Sequence, residues 1–437
     1  MSPVASTVFM FGILLFFLAL GLPLAFSLGG TAVLASVLLM GPQTLPILVH
    51  KVVGVMDQWM LAAIPLFVLM AMLLERAGVA EDLYAAMHRW MGPLRGGLAA
   101  GTVLICTIMA AMTGLSATGV VTMGLIALPA MLERHYDKNL AAGTIMAAGG
   151  LGSLIPPSTV MIYYAYVAEV SIGQLFMGGI IPGLILSGLY IAYILIRSAI
   201  QPNLAPSLPP EQRATWKEKF ASLKSVILPT LVIVMVLGSI FIGLTTVTEA
   251  AAMGVVGALI SAAVYRRLNW RLIKEATLRT VRISGMVMWI ILAAKCFTAL
   301  YIGTGAPQLV QDFFGQLPGG RLVPIIIMQL SWMVMGCFLD PAGIVMVTGP
   351  LFCPIVKALG FDLVWFGILF IINMEMAYLT PPFGFNLFYM KGVVPEDITM
   401  VDLYRSILPF ILMQIVCLAI VIMFPQSVLW LPSLMLK

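Results

Sequence analysis

The sequence predicts an all-α polytopic membrane protein of two inverted repeats, each with a re-entrant helical hairpin and a helix broken at a Pro-Pro pair. Three observations carry this. Of the 437 residues, 61% are hydrophobic and only 9% charged, with a mean hydropathy of +1.08, where a soluble domain carries about 25% charged residues. Landmarks of the first half recur in the second at a nearly constant offset. Lys and Arg gather in the polar segments that this topology places on one side of the membrane. The composition excludes a soluble enzyme, a nucleic-acid binder and a disordered scaffold.

The elements follow in order. Runs 5–22 and 24–40 read as spans, and the break 41–60 holds a short connecting helix before a third span at 61–74. Runs 98–113 and 118–132 form a pair of arms. An arm of about 15 residues is roughly 22 Å long, short for a core of about 30 Å, so the pair reads as a re-entrant hairpin. Runs 140–154 and 157–168 are one helix broken at Pro156-Pro157, and 176–197 is the last span of the half. The polar stretch Gln201–Lys224 is Pro-rich and then amphipathic. Runs 226–244, 249–265 and 283–302 begin the second half, followed by arms 322–337 and 341–356, a helix broken at Pro381-Pro382 (363–379 and 382–390) and a span at 406–424.

The repeat is read from paired landmarks. Pro129 and Pro354 are 225 residues apart, as are Pro156-Pro157 and Pro381-Pro382. Gly119 and Gly343 are 224 apart, Pro182 and Pro409 227, and Gly96-Gly97 precede Gly319-Gly320 by 223. We therefore divide the chain into a first repeat, 1–197 (hairpin 98–132, broken helix 140–168), a linker, 198–225, and a second repeat, 226–437 (hairpin 322–356, broken helix 363–390). A hairpin makes no net crossing, so each half crosses five times, and the odd number inverts the second. With the linker cytoplasmic, 18 of the 23 Lys and Arg fall in cytoplasmic segments and four outside, Lys295 lying within a span. The positive-inside rule is thus obeyed, with both termini on the far side. The basic run 266–282 then reads as an amphipathic helix on the inner surface, anchored to anionic lipid.

Other chemistries find little support. Five cysteines in apolar runs form no C-x-x-C, three histidines are far apart, and G-x-x-x-x-G-K-[ST], H-E-x-x-H and G-x-S-x-G are absent. Nothing here reads as an enzyme, and Val8–Leu22 reads as a first span rather than a signal peptide.

The informative residues lie at the tips and breaks. The tips read Thr113–Gly119 (TGLSATG) and Gly336–Gly343 (GCFLDPAG); the breaks read Gly149–Thr159 (GGLGSLIPPST) and Asn373–Asn386 (NMEMAYLTPPFGFN). A lone Pro-Pro is a kink, but two, each following a tip by a matched distance, point to function. Proline supplies no donor and clashes with the preceding turn, so carbonyls upstream of each break lose their helical partners. With nearby hydroxyls and a carboxylate they offer hard oxygen ligands to a small cation such as Na⁺, while half-helix N-termini suit an anion. Inverted repeats with matched interruptions point to a secondary transporter. Asp340 and Glu375 are carboxylates within apolar segments and functional candidates on that ground, against structural roles as a backbone cap or a partner of Lys295. Glu249 sits where an acidic residue favours a helix start.

At these residues the chain resembles the large membrane subunit of the tripartite ATP-independent periplasmic (TRAP) transporters, over about 8–425. The resemblance rests on Gly21–Phe26 (GLPLAF), Ala63–Phe67 (AIPLF), Gly149–Ser158, Ser171–Gly183 (SIGQLFMGGIIPG), Thr248–Ala251 (TEAA) and Thr380–Asn386 (TPPFGFN). It implies an elevator-type ion-transporter fold in the bacterial inner membrane, with both termini periplasmic. It also implies Na⁺ coupling, a separate small membrane subunit and a soluble periplasmic substrate-binding protein. Against relatives, the first tip reads Gly114-Leu115-Ser116-Ala117 where many carry a second Ser or Ala after the Gly, and Ala377 stands where Gly is common.

On this reading one Na⁺ sits at Ser116 with the carbonyls of Gly149, Gly152 and Ile155, and a second at Asp340 and Thr380 with the carbonyls of Gly336 and Ala377. A small organic anion, carboxylate or sulfonate, is expected at Ser116, Thr118, Ser158, Thr159 and Asn386, the Asn386 amide donating to it. Few cationic side chains fall at tips or breaks. A proton-coupled carrier using Asp340 or Glu375 is the alternative.

Overall fold

A computed structural model describes residues 2–209, 213–222, 224–315, 317–382 and 384–435, which are helical with no strand among them. Helices α1 (Pro3–Ala19), α2 (Leu24–Met40), α3 (Leu45–Met56), α4 (Ala63–Arg76) and α5 (Val79–Met91) lead to a hairpin, α6 (Gly97–Thr113) and α7 (Ser116–Leu132). The first broken helix is α8 (Lys138–Gly150) and α9 (Thr159–Ala168), and α10 (Ile172–Ile200) closes the half. The linker carries α11 (Trp216–Ser222). The second half runs α12 (Lys224–Phe241), α13 (Val247–Val264), α14 (Trp270–Gly303), α15 (Ala306–Gly315), the hairpin α16 (Leu322–Gly336) and α17 (Pro341–Ala358), the broken pair α18 (Leu363–Leu379) and α19 (Phe385–Lys391), then α20 (Met400–Met423) and α21 (Gln426–Ser433).

The same order of elements thus occurs twice. Helices α6 and α16 begin at 97 and 322, α7 and α17 at 116 and 341, and α8 and α18 at 138 and 363, each pair 225 residues apart. Both Pro-Pro bonds, Pro156-Pro157 and Pro381-Pro382, are cis.

Local chemistry sets the helix starts. Asp137, Ser158, Ser171, Asp340 and Asp362 cap α8, α9, α10, α17 and α18 through their side-chain oxygens, satisfying otherwise orphaned N–H groups. Thr246 with Glu249 and Thr399 with Asp402 close capping boxes on α13 and α20. The acidic residue of the TEAA stretch is therefore a helix cap.

By length and composition, six helices among the described residues are long and apolar enough to cross a membrane, and seven more are apolar but of 10–17 residues. The expected half-length arms have 17, 17, 15 and 18 residues, so α17 is the longest of them.

One expectation is corrected. The basic run 266–282 is not a separate surface helix: from Trp270 it is the opening third of α14, a continuous helix of 34 residues, about 51 Å long at 1.5 Å per residue. In the first repeat the matching stretch is interrupted between α3 and α4 at Asp57-Gln58. Pro65 falls in the first turn of α4, where proline is tolerated; α14 contains no proline and runs through. Ahead of it, Arg267 joins the halves, pairing with Asp82 at 2.8 Å and donating to the carbonyl of Gly78 at 2.9 Å.

Helices α2, α3, α4, α13 and α14 pack on one another, as do α6–α10 with α16–α20, and the two groups meet where α14 lies against α17 and α4 against α6.

Candidate functional site

The first tip is built on glycine. Gly114 ends α6 at φ +62°, and a Cβ there would lie 2.1 Å from the Pro157 carbonyl oxygen, so the tip sits directly on the first break. Helices α7 and α8 cross at backbone contact: a Cβ on Gly149 would be 2.7 Å from the Val120 nitrogen, and one on Gly152 2.8 Å from the Leu115 carbonyl. Ser116, Gly149 and Gly152 are thereby gathered at one place, and Ile155 follows in the same break with its N–H on the Leu151 carbonyl.

The second tip repeats the arrangement with different residues. A Cβ on Gly336 would be 2.2 Å from the Ala377 Cβ, which brings Gly336 and Ala377 together. Thr380 N–H donates to the Ala377 carbonyl at 3.2 Å, and its hydroxyl donates to Met376 O at 2.7 Å. One Asp340 carboxylate oxygen accepts from Ala342 N–H at 3.1 Å, capping α17. Phe383, within the second break, lies outside the described residues.

Between the tips lies a cavity of about 360 Å³, within the range of small-molecule sites. Ser116, Thr118 and Thr159 line it together with Asp340, Tyr163 and Tyr378. The other two residues expected at the anion stand behind it. Ser158 is fully buried and accepts from Met161 N–H, capping α9. Asn386 is fully buried, and both ends of its amide are engaged: Oδ1 accepts from the Ser116 hydroxyl at 2.8 Å, and Nδ2 donates to Met146 O at 3.0 Å. Asn386 thus ties the first tip to α8 and α19.

Glu375 lies deeper still. It is fully buried where α8 and α18 cross, with Oε1 accepting from the Ser153 hydroxyl at 2.5 Å and Oε2 without a hydrogen-bond partner. A Cβ on Gly150 would come within 2.3 Å of Oε2. Lys295 is elsewhere, its Nζ 4.4 Å from the centroid of the Tyr166 ring, in a second cavity of about 640 Å³ that also holds Glu169 and Lys357.

Sequence reasoning missed Arg279, which lines the first cavity and had been placed on the inner surface with its basic neighbours. It missed Tyr163 and Tyr378 as well. Those two carried a signal: each is an aromatic with a polar end, one turn after the first break or just before the second.

A multi-pass helical protein with two tips and two breaks converging on a mainly apolar cavity that holds a few convergent polar groups has the form of a membrane transport protein. Residues 11–427 match the family described as Tripartite ATP-independent periplasmic transporter, DctM component, and the chain belongs to that family. It is 32% identical to the C4-dicarboxylate TRAP transporter large permease protein DctM of Rhodobacter capsulatus, over 98% of this chain and 99% of that one. It is 30% identical to the sialic acid TRAP transporter large permease protein SiaM of Vibrio cholerae, over 95% and 96%. It is also 30% identical to the isethionate TRAP transporter permease protein DctMQ of Oleidesulfovibrio alaskensis, over 94% of this chain and 64% of that longer one. In three dimensions it is similar to the YdaH transporter of Alcanivorax borkumensis, with a TM-score of 0.64 at 16% identity over 89% and 90% of the two chains.

Proposed function

We propose that this chain imports a small organic anion, a carboxylate or sulfonate, together with Na⁺. The hairpins and broken helices move as an elevator past the body formed by α2–α4, α13 and α14. The observation that carries this is the cavity between the two tips, lined by hydroxyls and flanked on each side by a Pro-Pro break. Its oxygen-rich flanks suit Na⁺ as a co-transported ion: Ser116 with the carbonyls of Gly149, Gly152 and Ile155 on one side, and Asp340 and Thr380 with those of Gly336 and Ala377 on the other. Ser116, Thr118 and Thr159 face the anion, whereas Ser158 and Asn386 hold the frame. Relatives named for C4-dicarboxylates, sialic acid and isethionate favour an acidic substrate.

The reading places the chain in the bacterial inner membrane with both termini periplasmic, beside a separate small membrane subunit and fed by a soluble periplasmic substrate-binding protein. In proteoliposomes holding both membrane subunits and supplied with the binding protein, uptake should require an inward Na⁺ gradient; full activity in K⁺-only buffer would sink the proposal. Omitting the binding protein should leave little uptake.

Glu375 favours a second reading. A buried carboxylate with one oxygen unpartnered is costly as a bare charge and suits a proton carried in place of Na⁺. Uptake in Na⁺-free buffer that follows an imposed pH gradient would select it.

A further inference from the structure

An anion that leaves water for the cavity must find fixed positive charge, because an uncompensated buried charge is very costly. Half-helix N-termini and co-transported Na⁺ supply part of it, hydroxyls supply none, and Asp340 opposes it. Among the described residues lining the cavity, Arg279 is the one cation. We propose that Arg279 is the docking cation for the carboxylate or sulfonate of the transported anion, and that Glu75 is its resident substitute when the cavity holds none. The inference rests on the organic-anion reading above and assigns that site its charged contact.

The ion pairs support it. Arg76 and Arg271 both hold Glu275, at 2.9 and 2.8 Å. Arg279, one turn beyond Glu275 and within its field, has Glu75 as its ion-pair partner, with Nη1 3.8 Å from Oε1, and its side chain remains 52% exposed. That distance exceeds hydrogen-bond reach, whereas a guanidinium can take a planar oxyanion through two parallel bonds. The other Glu75 oxygen stands 3.5 Å from the Thr118 hydroxyl at the first tip. Glu75 therefore lies between a guanidinium and a tip hydroxyl, loosely held by both, beside the cavity rather than in its lining, and within reach of the two groups that an anionic headgroup would meet.

The placement also suggests how the anion leaves. Arg279 belongs to the body of α2–α4 and α14, whereas Thr118 and Thr159 belong to the hairpin and broken helix. An anion in the cavity would be held by both bodies at once. Glu75, tethered beside Arg279, competes for the same guanidinium and limits how tightly that anion is kept.

The test uses the purified complex of large and small membrane subunits in detergent, with succinate, sialic acid and isethionate as probes, each titrated in NaCl and in choline chloride and read by thermal stabilisation. At least one probe should stabilise the wild type in Na⁺. Arg279→Gln should raise its half-saturating concentration tenfold or more, leave the stabilisation by Na⁺ alone in place, and be partly rescued by Arg279→Lys. Glu75→Gln should lower the half-saturating concentration severalfold by removing the competitor. Wild-type binding in Arg279→Gln overturns the proposal, and so does weakened binding in Glu75→Gln, which would mean that Arg279 acts only by anchoring Glu75. Where Arg279→Gln does not fold, the Glu75→Gln result decides alone. If no probe stabilises the wild type, the organic-anion reading itself has failed.

Discussion

Asn386 illustrates how an amide at the right place in a sequence can serve the frame rather than the ligand. Its residue type and its position one turn past Pro382 made it the sharpest anion donor, yet its two hydrogen bonds join Ser116 to α8. Replacing it with leucine strands a hydroxyl that is also a proposed Na⁺ ligand. Leaving a buried polar group unpaired costs about 1–3 kcal/mol, and a tenfold loss corresponds to about 1.4. We expect Asn386→Leu to weaken Na⁺ and substrate together by tenfold or more, measured by Na⁺-dependent thermal shift and by uptake; loss of substrate alone would restore the donor role. A pH effect belongs to this scale too. Burial, then the nearby Arg134 and Arg89, hold the His88 imidazole below its ordinary value. The unfolded chain therefore takes up that proton first, and stability present above about pH 6.5 is lost as the pH falls. Between pH 7.5 and 5.5 the melting temperature of His88→Gln should fall less than that of the wild type. Ser116, Thr118 and Thr159 could be picked out as cavity-lining candidates because they lie beside a tip or a break, but position alone did not separate them from Ser158, which caps α9. Arg279 could not be picked out, because one arginine among six basic residues in 266–282 looks like its neighbours until the helix packs.

At the scale of elements, the hairpin and the broken helix depend on approach closer than a side chain permits. A Cβ on Gly149 would lie 2.7 and 3.0 Å from backbone atoms of Val120, so α7 would have to move off α8. Overpacking of this kind costs about 1–3 kcal/mol. Gly149→Ala should lower the melting temperature and abolish Na⁺-dependent uptake, whereas Gly188→Ala in α10, with nothing within 4 Å, should be at least as stable as the wild type. The Pro-Pro pairs disclosed both breaks where single prolines do not, since Pro182 lies inside the unbroken α10 and Pro354 inside α17. Helix α14 was misread because hydropathy changes sign near residue 283 and was taken as a boundary. Polarity decides which part of a helix lies in lipid, not where the helix stops; the caps and prolines that do decide it sit at Asn269 and in the first repeat.

For the molecule as a whole, the duplicated order of elements was visible in five pairs of landmarks, and the element starts follow the same offset. Its direction across the membrane is a separate matter that charge alone argues. In a background lacking native cysteines, a membrane-impermeant maleimide applied to spheroplasts should label Ser433→Cys at once and Asn203→Cys only after lysis; the opposite pattern would invert the topology. The crossing of α8 and α18 carries one more consequence. Glu375 and Gly150 are 225 residues apart, so each is the other's counterpart, and they touch. Two positions that approach this closely cannot both carry a large side chain. Two glutamates there would set carboxylate against carboxylate, and two glycines would leave the crossing without an acid. The halves are therefore not interchangeable here: Gly150→Glu or Glu375→Gly would each remove this contact between unlike residues.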